Sequence, residues 1–111
     1  MVIDKKGEAF EYEGRKYVIG EKVIATAASD YSGLIGVITE IRDGEDKDTD
    51  NETPDIYCAF EKPTSAREVK RLEKLFSELY GEPKTIEDIG LDEIIMAPDM
   101  ISTLAEIRRR K

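Results

Sequence analysis

The hydrophobic pattern of the chain begins with period-two alternation. Phe10 and Tyr12 alternate with Glu11 and Glu13, Gly14 interrupts, and Tyr17-Val18-Ile19 returns. That is the pattern of a half-buried hairpin. Val2 and Ile3 ahead of it suffice for a short edge strand at most. Gly20 punctuates, and residues 23–26 read as the next strand. The stretch Ala28-Ser29-Asp30-Tyr31-Ser32-Gly33 is turn chemistry, which places Tyr31 on the outside. Two runs rich in β-branched residues follow, 34–41 and 56–60, and predict a pair of strands. Gly36 inside the first predicts a bulge or a sharp bend.

The period changes after Pro63. Ser65 followed by Glu68 has the spacing of a capping box. Val69, Leu72, Leu75, Phe76, Leu79 and Tyr80 then recur at helical spacing, and Gly81 and Pro83 stop the run. This predicts an amphipathic helix over 65–80 whose apolar face packs on the sheet. Residues 85–90 read as one helical turn closed by Gly90. Residues 91–97 read as the last strand, ended by Pro98, with Met100, Ile101 and Leu104 covering an open end of the sheet. The segment 106–111, with Arg108, Arg109, Arg110 and Lys111, reads as a flexible basic tail. The expected architecture is therefore mainly β with one helix (α+β). It is a strongly bent antiparallel sheet or barrel, a single domain over 1–111, with the helix inserted before the last strand.

A resemblance attaches to part of this pattern. Gly20-Glu21-Lys22-Val23, a short strand, a turn and then Gly33-Leu34-Ile35-Gly36-Val37-Ile38 resemble the KOW-type motif of small SH3-like barrels. The resemblance spans about residues 20–41. It implies an SH3-like fold, and members of such families contact RNA or a protein partner through loops. The layout also resembles that of small accessory proteins of bacterial mobile elements.

Charge narrows the function. Asp and Glu outnumber Lys and Arg by 25 to 17, for a net charge of -8 in 111 residues. Such a field repels phosphate backbones and favours a cationic partner. The only cysteine, Cys58, lies in a strand-like run and cannot form an internal disulfide, which fits a reducing cytoplasm. The chain has no histidine, so neither a nucleophilic triad nor a zinc site has its usual residues. The N-terminal residues have no apolar core of the kind a signal peptide needs, and no run is long and apolar enough to span a bilayer. A non-catalytic, cofactor-free, cytoplasmic binding protein with no membrane segment is the expectation.

The acidic stretch 43–55 supplies the candidate site. It carries Asp43, Glu45, Asp46, Asp48, Asp50, Glu52 and Asp55 against Lys47. Like charges this dense predict a loop that stays mobile until something cationic settles it. Asp46, Asp48, Asp50 and Glu52 start like an EF-hand loop, but Asn51 stands where its glycine belongs and Tyr57 where its bidentate glutamate belongs. In an extended chain rising about 3.3 Å per residue, alternate carboxylates fall on the scale of phosphate spacing along a strand. The predicted activity is binding of a basic protein surface through this loop and Tyr31. The partner could then be a nucleic-acid-processing enzyme whose channel the loop enters as a nucleic-acid mimic, as an anti-restriction or anti-CRISPR protein does. The alternative is a KOW-like, RNA- or ribosome-associated module using the basic tail.

Overall fold

The computed structural model describes the backbone of residues 1–109 and the side chains of residues 1–107. The predicted hairpin forms from β2 (Ala9–Tyr12) and β3 (Arg15–Val18), in register Phe10↔Tyr17 and Tyr12↔Arg15. Its turn is the dipeptide Glu13-Gly14, both residues at positive φ (48° and 80°). This is the twist that a two-residue hairpin loop requires. The hairpin is a separate two-stranded sheet.

The main sheet is antiparallel. Its strands are β1 (Val2–Ile3), β4 (Lys22–Ala25), β5 (Ile35–Arg42), β6 (Asp55–Phe60), β7 (Ile94–Met96) and β8 (Ile101–Thr103). They run in the order β7-β6-β5-β4-β8, with β1 pairing the far end of β5. The two β-branched runs therefore pair as predicted, Val37 opposite Ala59 and Ile41 opposite Ile56. No barrel closes: β7 and β8 are the two ends of this order. The predicted last strand is β7, and it is followed by a further one. Pro98 ends β7, a 3-10 turn (Pro98–Met100) reverses the chain, and Ile101, assigned to an open end, instead pairs with Ala25 in β8.

The irregularity expected at Gly36 lies elsewhere. The register slips between Ile38 and Glu40, where the Thr39 hydroxyl donates to the Tyr57 carbonyl at 3.2 Å. Gly36 is regularly paired with Phe60, and its role is steric. A Cβ there would overlap the Ala59 carbonyl oxygen and come within 2.7 Å of Phe60 Cδ1.

Helix α1 (Ala66–Tyr80) begins at Ser65, whose hydroxyl accepts from the Glu68 N–H at 3.1 Å, and ends at Gly81 in the left-handed conformation. Only half of the capping box forms, because the Glu68 carboxylate turns to Arg71 at 2.8 Å. Leu72 and Phe76 are buried in the core with Tyr17, Ile38, Ile41, Ile56 and Met96. Leu75 is half-buried, and Leu79 and Tyr80 are 54% and 65% exposed. The buried stripe is thus narrower than the apolar stripe of the sequence. Tyr31, expected outside, lies half-buried against this helix, its ring 5.9 Å from Phe60 and 5.2 Å from Phe76.

Residues 104–109, part of which was assigned to a flexible tail, form helix α2 (Leu104–Arg109). Thr103 and Glu106 cap it reciprocally: the Glu106 carboxylate accepts from the Thr103 N–H at 2.9 Å, and the Thr103 hydroxyl accepts from the Glu106 N–H at 3.2 Å. The rest of the predicted basic tail, Arg110 and Lys111, lies outside the described residues. No helix among the described residues is long and apolar enough to cross a membrane.

Candidate functional site

The acidic stretch 43–55 is folded, and its own carboxylates do much of the folding. Asp43 caps a 3-10 turn (Gly44–Asp46) by accepting from the Gly44 N–H at 2.9 Å. Asp46 pairs with the amino group of Met1, which holds its carboxyl below the usual range. Asp48 lies 3.3 Å from the Arg42 guanidinium and accepts from the Tyr57 hydroxyl. Asp55 is 1% exposed. Its Oδ2 accepts from the N–H groups of Asp48 (2.8 Å) and Thr49 (3.0 Å), and its Oδ1 from the Thr49 hydroxyl. Burial pushes the Asp55 carboxyl up, but these donors outweigh it and hold the group below its ordinary value. A carboxylate with several such donors anchors a loop as a cap anchors a helix.

The expectation of a loop held open by repulsion is therefore replaced. Four of its seven acids, Asp43, Asp46, Asp48 and Asp55, are committed to partners within the chain, and three, Glu45, Asp50 and Glu52, are exposed with no ion-pair or hydrogen-bond partner among the described residues. The extended array of alternating carboxylates does not exist, because a 3-10 turn and the tether to Asp55 fold the segment back. Tyr31 is not near this loop; its ring packs on Phe60 and Phe76.

The free carboxylates of the loop join others from elsewhere in the chain. The hairpin tip faces the loop, and Tyr12 marks the junction. Its hydroxyl is pushed above its ordinary value first by burial, then by the charges of Glu13, Asp43 and Glu52. A cleft of about 280 Å³ opens here, lined by Tyr12, Glu13, Arg15, Thr53, Pro98 and Asp99. Glu13, Glu52 and Asp99 are exposed. Arg15 is the cation in the lining, and it is already committed. Its Nε and Nη2 donate to Glu106 at 2.9 and 2.7 Å, and Nη1 and Nη2 donate to the carbonyls of Pro98 (2.6 Å) and Ile101 (3.0 Å). Burial alone would lower the Arg15 pKa, but Glu106 outweighs it and raises it. This bidentate fork fastens the hairpin to the turn before β8 and to α2, so the cleft walls are held in place.

Reading the sequence by stretches misses Tyr12, Glu13 and Asp99, since the three elements that carry them meet only in the fold. The sequence signal that bears on them is the Glu13-Gly14 dipeptide, which sets Glu13 at a hairpin tip.

Cys58 is buried, and burial pushes its thiol up to about 12, far from a reactive thiolate. Among the described residues no three Cys, Asp or Glu side chains converge closely enough to hold a metal ion. A second groove, of about 310 Å³, is apolar. It lies between Ile24 of β4, Ile35 of β5, and Leu104 and Ile107 of α2. Comparison with family models, curated proteins and solved structures returns no match for this chain.

Proposed function

We propose that the protein is a non-catalytic binding module that engages a basic surface of another protein. The contact face is the composite acidic surface where the hairpin tip, the end of the 43–55 loop and the Pro98–Met100 turn meet. One observation carries this reading: Glu13 and Asp99 line one cleft from separate elements, Glu52 stands beside its lining residue Thr53 and raises the Tyr12 hydroxyl, and Arg15, the cation lining that cleft, is tied to Glu106. Unneutralised charges held on a braced scaffold raise the encounter rate with an oppositely charged partner and set its orientation. The net charge of -8 adds a long-range attraction of the same sign and opposes direct binding of RNA or DNA.

The test is affinity capture with the wild-type chain beside a Glu13→Gln, Glu52→Gln, Asp99→Asn variant, over a salt series. Proteins with a basic surface should be retained by the wild type at about 0.1 M salt and released by about 0.5 M, as screening shortens the reach of charge. The variant should not retain them. Equal retention by both chains would remove the acidic face from the account. If the retained protein handles nucleic acid, competition by a DNA or RNA duplex for the same site would extend the proposal to mimicry.

A further inference from the structure

We infer that the cleft beside Tyr12 accepts an arginine side chain presented by the partner protein. This inference rests on the binding function proposed above and names the group that the cleft receives.

The size of the cleft is the first argument. About 280 Å³ is room for one large side chain and stands at the lower edge of the range of small-molecule sites, about 300–1,000 Å³. Its lining is the second. Tyr12 supplies an aromatic ring, Glu13 and Asp99 line the cleft from the hairpin turn and the Pro98–Met100 turn, and Glu52 and Asp43 add negative charge felt at Tyr12. A cation over an aromatic face with carboxylates beside it is the environment that guanidinium favours. The third argument is the spacing of the acids. They do not converge as metal ligands do. Glu13 and Asp99 line the cleft from separate elements, which suits a planar cation that donates in several directions more than a compact ion. Charge complementarity thus selects a cation, and the aromatic side chain of Tyr12 beside carboxylates favours guanidinium over ammonium.

The chain itself contains the same arrangement next door. Arg15 lies 5.0 Å over the Tyr17 ring while its fork binds Glu106. The cleft offers an incoming arginine a ring and carboxylates of the same kind at the next pair along the same face of the hairpin, since Tyr12 pairs with Arg15 and, two positions on, Phe10 with Tyr17.

The probe is N-acetyl-arginine amide, titrated into the ¹⁵N-labelled full chain and followed by amide chemical shifts. Saturable shifts should concentrate at residues 12–15, 53 and 98–100. The citrulline analogue, which has the shape without the charge, should give none. The lysine analogue should bind several-fold more weakly. Tyr12→Leu should weaken arginine binding about five-fold, on the scale of a partly exposed cation–π contact. Asp99→Asn, at an exposed position that leaves the fold intact, should weaken it at least two-fold. Shifts spread evenly over all acidic surfaces, equal response to citrulline, or no effect of either substitution would overturn the arginine site. Failure here is separable from failure of the proposed function. If Tyr12→Leu and Asp99→Asn leave the titration unchanged while the charge variant still loses its captured protein, the acidic face stands and the cleft does not. If the wild type captures nothing, both fall.

Discussion

Glu13 and Asp55 illustrate two opposite uses of a carboxylate in this chain. Glu13 occupies a left-handed position where asparagine or glycine is the usual residue, and its side chain borders the cleft. Holding a side-chain-bearing residue there costs about 1 kcal/mol. Glu13→Asn should therefore raise stability by about 0.5–1 kcal/mol in urea unfolding while reducing capture of a basic partner. A loss of stability would mean that Glu13 has a structural role. Asp55 is the reverse case, a charge enclosed for the benefit of the fold. Asp55→Asn sets an amide against the N–H groups of Asp48 and Thr49 and should cost about 1–3 kcal/mol at neutral pH. Because the folded carboxyl titrates below its unfolded value, its contribution is complete above that unfolded value. It is lost as pH falls through the lower folded one. The gap between wild type and variant, read as urea midpoints, should be widest at neutral pH and close under strongly acid conditions. A gap that does not change with pH would contradict the anchoring role of the charge.

At the scale of elements, helix α1 provides the clearest check on packing. Leu72 is fully buried, whereas Leu75 is only half-buried. Leu72→Ala should cost about 2–5 kcal/mol and Leu75→Ala distinctly less; thermal unfolding of the two variants compares them directly. Equal losses would mean that the helix is rotated from the described orientation. The existence of α1, the β2–β3 hairpin and the β5–β6 pair was legible in the sequence, because capping residues, a glycine turn and β-branched runs act locally. Which of the helix's apolar residues face the core was not, since that depends on how far the sheet extends beneath it. The T-x-x-E spacing of Thr103 and Glu106 is a local signal for α2, hidden by the run of arginines behind it. Strand β8 has no such signal. Three residues between a proline turn and a helix become a strand only because β4 offers them an edge. Gly36 carries a real signal whose cause lay elsewhere: the neighbouring backbone leaves no room for a side chain, and the bulge sits three residues on.

For the molecule as a whole, the sequence shows how many acids the segment 43–55 carries but not which of them the fold leaves facing solvent. Counting carboxylates along 43–55 treats them as equivalent. The fold divides them, through Met1, Arg42, Tyr57 and Thr49, into those that build the loop and those left facing solvent. It then adds Glu13 and Asp99 from segments 30 or more residues away in the chain. The central claim is that this assembled face, and no other surface, meets the partner. Hydrogen–deuterium exchange of the captured complex tests it most directly. The account predicts slowed exchange in peptides covering residues 9–18, 49–55 and 98–103, with the rest of the chain unchanged. Protection confined to the apolar groove between β4, β5 and α2, or to the exposed end of α1 at Leu79 and Tyr80, would contradict it.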